Sequence, residues 1–568
     1  MKYKGNLLLF IYLLFAGFAN AQLTSQKSKY TFEDTLRGSI TTYRQGWDVL
    51  RYDLQVEADI QNKTISGNNK ITYYESLPVR EMQIDLQKPL MIDSVISENG
   101  TPLTYKQLGN AWLVRLKPDG AIIKFLPGKR WLKVYYHGAP KVATRPPWDG
   151  GLIWHKDSLN NPLVATACQG LGASVWWPCK DHQSDEPDSG MTIKIIAPDT
   201  LSAISNGRLQ NVLPSANGTK TWTWLVTNPI NNYDVTMNIG KYTHWSDTLQ
   251  GVAGILDMDF WVLNYNLEKA KRQFAQAKLM LRSFEYWFGK YPFYEDSYKL
   301  IETPFLGMEH QSGIAYGNKY SNGYLGTDLS GTGWGLKWDF IIIHESGHEW
   351  FGNNITSKDL GDMWLHEGFT NYSETLFTET YYGKQAANDY NFGTRKKIKN
   401  NSPVIGPYGV NEEGSGDMYS KGGNLLQLIR HSIDNDSLFR NILVGLNTQF
   451  YHATVTTQQV EDFISTKSGI DFSKIFDQYL RTTQIPVLEF YTTNKRRTIH
   501  YRWSKCVDRF NLSLVLNKDN DSLRINPTTE WQTLGVKKKQ QGIWSPAEIE
   551  KNYYIKVDER KKIKSNKS

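Results

Sequence analysis

Cysteine is scarce: the 568-residue chain has three, Cys168, Cys179 and Cys506. Three thiols cannot build the disulfide framework that holds small secreted domains together, so the fold must rest on an apolar core. They leave either a single Cys168–Cys179 bridge or three buried thiols. Internal repeats and low-complexity linkers are missing too, which excludes solenoids and flexible arrays. Net charge is nearly absent from the body of the chain. Of the formal +8, residues 1–21 carry +2 and the tail from Lys556 to Ser568 carries +4, leaving about +2. No nucleic-acid surface is implied, and the basic tail reads as a disordered end. Long apolar runs are confined to the start, MKYKGNLLLFIYLLFAGFANA. Lys2 and Lys4, the apolar stretch Leu7 to Ala19 and the small-x-small site Ala19-Asn20-Ala21 make residues 1–21 a signal peptide cleaved after Ala21. The expected product is exported, periplasmic or secreted, with no integral membrane segment after cleavage.

What is present is a globular, enzyme-sized composition: 40% hydrophobic, 13% aromatic and 21% charged residues, enough for two to four domains. Residues 22–245 are mainly β. Tyr52 to Tyr74 alternates polar and apolar residues around turn signals at Gln61-Asn62 and Gly67-Asn68. From residue 246 to about 484 helical periodicity dominates, beginning with the amphipathic stretch Leu267 to Phe288. At Ile485-Pro486-Val487 strand-like alternation returns, and residues 485–568 read as a small β-sandwich with a basic tail. The fold class expected is multidomain α+β.

The stretch that organises the chain is FIIIHESGHEWFGNNITSKDLGDMWLHEGFTNYSE, residues 340–374. His344-Glu345-Ser346-Gly347-His348 places two histidines on one helical face, where both imidazoles can reach one ion with Glu345 beside them. Gly352-Asn353-Asn354 is the expected stop of that helix. Glu367 lies near the start of a second periodic segment, with Asp362 as its expected N-cap, and a loop between the two helices would return its carboxylate to the ion. A catalytic zinc needs three protein ligands and an open position, and His344, His348 and Glu367 provide a His2Glu set for one Zn2+ per chain. Asn354 and Asn371 match the N-x-S/T glycan acceptor pattern, but a glycan there would obstruct this site, so both are chance matches.

Three further stretches bear on the chemistry. Pro304 to Tyr316, PFLGMEHQSGIAY, is punctuated by glycine and carries Glu309. Ala165 to Pro187 carries Gln169 and the pair Trp176-Trp177, which is expected to pack between domains. Asp417 to Gly423, DMYSKGG, places Tyr419 before a helix.

Together with HESGH and Glu367, these stretches resemble the zinc aminopeptidases of peptidase family M1, a gluzincin group that includes aminopeptidase N and leukotriene A4 hydrolase. Leu306-Gly307-Met308-Glu309-His310 is similar to the family's G-x-M-E-N, with Leu306 in place of the first glycine and His310 in place of asparagine. Tyr419-Ser420-Lys421-Gly422 is similar to its Y-x-K-G, and Gln169 precedes an FPC-like Trp177-Pro178-Cys179. The resemblance covers most of the chain after residue 21. It implies an N-terminal β-saddle, a thermolysin-like, mostly α catalytic domain and a β-sandwich. Only about eighty residues follow Pro486, so the large helical domain of the longest members is not expected, and the site should be more open.

The resemblance also implies roles. Glu345 would act as general base and Tyr419 would stabilise the oxyanion. Glu309, assisted by Gln169, would hold the free α-ammonium of a peptide, with Gly307, Met308 and His310 shaping the same substrate site. The expected activity is zinc-dependent removal of N-terminal residues from peptides. A thermolysin-type endopeptidase would use the same ligands without needing Glu309. An inactive peptide-binding protein would not require the base, and epoxide hydrolysis, known in one branch, remains open as a side activity.

Overall fold

The computed structural model describes residues 30–117, 125–215, 217–518 and 521–560. The proposed signal peptide and the last eight residues of the tail lie outside them. The N-terminal part is built on an eight-stranded sheet whose centre is the long strand Trp47–Asp59. It pairs antiparallel with Thr64–Glu75 and parallel with Met191–Pro198. The apolar alternation along Trp47–Asp59 changes phase once. Trp47 and Val49 face the core, and beyond a register shift between Val49 and Arg51 the even positions Tyr52, Leu54, Val56 and Ala58 take over. One extra residue in one strand moves every later side chain to the other face, so the bulge keeps both halves buried. A four-stranded sheet that includes Pro162–Ala167 and a three-stranded sheet complete this β-rich part. The Trp176-Trp177 pair lies inside the N-terminal core, fully buried, with Trp177 edge-on to Tyr52 at 4.9 Å. It therefore does not serve as interdomain packing; its indoles fill the space over the central strand. Cys168, Cys179 and Cys506 are free thiols.

The middle part begins with a five-stranded mixed sheet, in the order Tyr242–Gly251, Gly254–Leu263, Tyr298–Glu302, Ile314–Tyr316, Gly307–Met308. The short strand Gly307–Met308 is its edge and pairs antiparallel with Ile314–Tyr316. The amphipathic stretch expected as one helix forms two, Leu267–Phe274 and Gln276–Phe288, interrupted at Ala275. The metal-motif helix Phe340–Gly347 and the helices Trp364–Tyr382 and Ser420–Ile433 pack behind the sheet edge.

The C-terminal part is a four-stranded sheet with a two-stranded ribbon, Leu514–Lys518 and Asp521–Ile525. Its apolar residues Leu488, Phe490 and Trp503 belong to the same buried cluster as the helices of the middle part. The Arg395 guanidinium binds three carbonyls at the end of the short helix Pro546–Asn552, including Tyr553 O at 3.1 Å and Lys551 O at 3.2 Å. The first part of the basic tail is ordered, contrary to expectation. Lys556–Glu559 is a strand parallel to Val487–Thr493, and Arg560 pairs with Glu489. Backbone pairing and this ion pair hold a segment that its charge alone marks as solvated.

Candidate active site

Asp339 caps the metal-motif helix, its carboxylate accepting from Ile341 N at 3.1 Å and Ile342 N at 3.3 Å. The apolar run Phe340 to Ile343 anchors the helix in the core. Regular helix ends at Gly347, with His348 in αR geometry at its C-cap, so His344 and His348 still share one face. Gly352, at φ +136°, turns the chain away. The chain then returns through a tight turn, Leu360–Asp362, into the helix Trp364–Tyr382, whose first turn carries Glu367. Asp362 does not cap that helix. Its oxygens accept from Tyr408 Oη at 2.8 Å and from Thr457 Oγ1 at 2.6 Å and N at 3.1 Å, tying the turn to neighbouring segments.

Glu367 Oε2 lies 3.5 Å from His344 Nε2 and 3.3 Å from His348 Nε2. It is buried and has no hydrogen bond of its own. The other ring nitrogens are engaged. His344 Nδ1 meets Glu374 Oε1 at 2.7 Å, and His348 Nδ1 meets the Phe351 carbonyl at 3.0 Å. These acceptors select the tautomer with hydrogen on Nδ1 and leave each Nε2 lone pair facing Glu367. Three buried ligand atoms within 4.8 Å of one another, with Glu367 Oε2 lacking a hydrogen bond, fit a cation, and the His2Glu set fits zinc. The protonation balance agrees. Burial alone would lower the imidazoles, but Glu367 and Glu374 more than offset it and push His344 up, while the two imidazoles hold Glu367 far below the carboxylate range despite its burial. The triad draws positive charge into its centre.

Glu345 points from the same helix toward the edge strand. Burial pushes its carboxyl up to about 7, with His344 and His348 pulling down against Glu309 and Glu367. Gly307 permits this approach: a Cβ there would stand 2.8 Å from Glu345 Oε1 and 2.9 Å from Ile341 Cγ2. Glu309 follows on the same segment. It accepts from Gln169 Nε2 at 2.8 Å and Tyr233 Oη at 3.1 Å, and the same Gln169 nitrogen reaches Glu367 Oε1 at 3.3 Å. Ligand atoms of Glu309, Glu345 and His348 lie within 4.8 Å of one another. Burial first, then Glu367, raises the Glu309 carboxyl against the pull of His348. Met308 packs in a small apolar cluster with Phe305 and Ala315. His310 is fully buried, has no hydrogen-bond partner among the described residues, and is pushed by burial down to about 3, so it is a neutral packing group behind Glu309. Sequence reasoning missed Tyr233, which sits in the Asn232–Asp234 turn of the N-terminal part, and Glu374, about two helical turns beyond Glu367.

Tyr419 immediately precedes the helix Ser420–Ile433, and its ring stacks near His344, 6.1 Å between centroids and 23° between planes. Burial, followed by the neighbouring Glu367 and Glu413, pushes its hydroxyl well above the usual phenol range, which favours the protonated, hydrogen-bond-donating form. Its placement depends on two glycines. A Cβ on Gly422 would stand 2.7 Å from Gly368 Cα, so the helices bearing Tyr419 and Glu367 meet backbone to backbone. The acidic neighbour Glu413 is pushed up to about 8 by burial and by Glu367 and Glu309, partly offset by Arg37.

Two family models match the chain: the Peptidase M1 N-terminal domain over residues 49–233 and the Peptidase family M1 domain over residues 276–479. Among curated proteins, an aminopeptidase N of Lactobacillus helveticus is 24% identical over 471 residues, covering 78% of this chain and 51% of that protein. A probable aminopeptidase 2 of Sulfurisphaera tokodaii is 23% identical over 339 residues, covering 57% of this chain and 42% of that protein. The chain thus spans about half the length of the curated relatives it matches. Among solved structures, an M1 zinc metallopeptidase from Deinococcus radiodurans shares the fold with a TM-score of 0.64 at 20% identity, over 79% of this chain and 98% of that one. A variant of that enzyme bound to a Tyr-Ser-Ala substrate aligns with a TM-score of 0.63 at 20% identity, over 79% of this chain and 97% of that one. Both domain models lie where the β-rich and helical parts carry the triad, Glu309 and Tyr419, and the chain belongs to peptidase family M1.

Proposed function

We propose that this protein is a zinc-dependent aminopeptidase that removes N-terminal residues from peptides. The observation that carries the reading is the buried Glu309 carboxylate, which shares one Gln169 nitrogen with the metal ligand Glu367 and lies within 4.8 Å of Glu345 and His348, ligand atom to ligand atom. A second anion so near the base leaves room for a single residue between an α-ammonium and the scissile bond. His344, His348 and Glu367 would hold the zinc, which would supply Lewis acidity toward the scissile carbonyl and an attacking water. Glu345 takes the proton of that water and passes it to the departing amine. The Tyr419 hydroxyl donates to the carbonyl oxygen as that oxygen gains charge. Glu309 pairs with the α-ammonium while Gln169 and Tyr233 hold its carboxylate in place.

An endopeptidase with this site would have to bury Glu309 against a neutral peptide group. An anion left without its partner costs about 1–3 kcal/mol or more, which disfavours interior peptide bonds. An inactive binding protein has no use for Glu345 at the metal. We also propose that residues 1–21 direct export and that the mature chain begins at Gln22; N-terminal sequencing of the protein recovered outside the cytoplasm checks this. Among the described residues no helix is long and apolar enough to cross a membrane. The activity is tested by metal analysis with a matched pair of substrates, one peptide with a free and with an acetylated N-terminus. One zinc per chain and turnover of the free form alone are expected; equal turnover of both overturns the aminopeptidase reading.

A further inference from the structure

Glu413 has no part in the steps above, yet it faces the same cleft. It lies six residues before Tyr419, half-buried, and its carboxylate forms no hydrogen bond or ion pair with the described residues. A Cβ on Gly170 would stand 3.6 Å from Glu413 Oε1, and Gly170 directly follows Gln169, the residue that holds Glu309. The carboxylate therefore stands beside Gly170, one residue along the chain from the side chain that holds Glu309.

Both segments are fixed by the first helix, Phe32–Gly38. Arg37 Nη1 donates to the Gly170 carbonyl at 2.5 Å and to the Asn411 side chain, and Asn411 N donates to Asp34 O at 2.9 Å. Among the described residues Arg37 is the cation that acts on Glu413, but its own ion pair is with Asp181, Nε to Oδ2 at 3.3 Å. Glu309, Glu367 and Glu413 thus share one cleft with Glu345. The metal answers Glu367, and the α-ammonium answers Glu309. Glu413 is left without a fixed counterpart, and the side chain of the same substrate residue would have to lie beside the α-ammonium.

We propose that Glu413 is a specificity residue for a cationic first side chain, so that peptides beginning with Arg or Lys are the preferred substrate class; this rests on the aminopeptidase reading. A cation placed against the carboxylate favours its ionised form and relieves its repulsion by Glu309 and Glu367. Charge-assisted pairs of this kind discriminate by about ten- to a hundredfold.

The test uses the full-length zinc enzyme and coumarylamides of Arg, Lys, Leu and citrulline, the last having nearly the shape of Arg without its charge. The wild-type kcat/KM ratio of Arg over citrulline should be about tenfold or more, and it should collapse toward one in Glu413→Gln. In Glu413→Lys the preference should move to a Glu-first substrate over its Gln counterpart. If Glu413→Gln fails to fold, Glu413→Asp, which withdraws the carboxylate by one methylene, must lower the ratio. Equal turnover of Arg and citrulline by the wild type, or an unchanged ratio in Glu413→Gln, overturns the proposal. Turnover of the Leu substrate alongside such a result leaves the aminopeptidase reading standing. No turnover of any free aminoacyl substrate ends both.

Discussion

The two halves of the cleft solve opposite electrostatic problems. On the metal side, His344 and His348 each have an acceptor behind the ring, and Glu367 gathers both imidazoles around a point that requires a cation. On the substrate side, Glu309 is held by neutral donors only, Gln169 and Tyr233, and its charge has no fixed counterpart. In the proposed aminopeptidase the first half would hold a resident cation, and the second would meet one that arrives with each substrate and leaves with each product. A full salt bridge at Glu309 would have blocked the pocket, whereas hydrogen bonds from an amide and a phenol orient the carboxylate without neutralising it.

The largest expected effect falls on the chemistry shared by both halves. Glu345→Gln keeps the zinc ligands but cannot take a proton, so kcat should fall roughly a hundredfold or more with zinc content unchanged. Near-normal turnover in a zinc-replete Glu345→Gln enzyme would remove the base from the assigned role. Tyr419→Phe should lower kcat more than it raises KM, because its hydroxyl acts on charge that develops during reaction.

Next comes the substrate half. Glu309→Ala should lower kcat/KM for a free N-terminus by about ten- to a hundredfold and shrink the discrimination against the acetylated peptide, because the penalty for an unpaired carboxylate is gone. Zinc binding should not change. A variant that keeps full discrimination would show that the ammonium is held elsewhere.

Glu374→Gln probes the other half alone. The neutral amide is a weaker acceptor for His344 Nδ1, so the imidazole loses basicity and orientation, and zinc affinity measured against a competing chelator should drop by about tenfold. At saturating zinc the free-versus-acetylated discrimination should remain that of the wild type. A loss of discrimination there would mean that the two halves are not separable.

The halves also differed in how much could be read before the fold was known. The metal side is local: His344 and His348 are one helical turn apart, and Glu367 opens the next helix, so periodicity alone brings three ligands together. The substrate side is assembled from residues 169, 233 and 309 across two domains. Resemblance to the family named Gln169 and Glu309, but nothing near Tyr233 marks it, since a tyrosine in a turn is ordinary until Glu309 is placed 3.1 Å from its hydroxyl. Errors arose where a plausible local rule met a tertiary competitor. Asp362 has the right residue type for a cap, yet Thr457 and Tyr408 claim its oxygens. Trp176 and Trp177 follow the substrate-side Gln169 but belong to the core of the N-terminal part. Lys556–Glu559 has a solvated composition and is nevertheless paired along Val487–Thr493.

The smallest effect expected is the one that separates orientation from charge on the substrate side. Tyr233→Phe leaves Glu309 in place with Gln169 as its remaining donor, and a water can replace part of the lost hydrogen bond. The cost to kcat/KM for a free N-terminus should therefore be only about two- to tenfold. Its pH dependence is more telling. A hydrogen bond donated to a carboxylate favours the charged form, so removing it raises the already elevated Glu309 pKa. Protonated Glu309 cannot pair with the ammonium. Activity on free N-termini is thus lost as pH falls through that pKa, and in Tyr233→Phe the acidic limb of the kcat/KM profile should move to higher pH, while the wild-type rate is approached on the alkaline side. Zinc content and the acidic limb for an acetylated peptide, if any turnover is seen, should stay where they are. An unchanged acidic limb in Tyr233→Phe would mean that the limb reports Glu345, and that the phenol contributes packing alone.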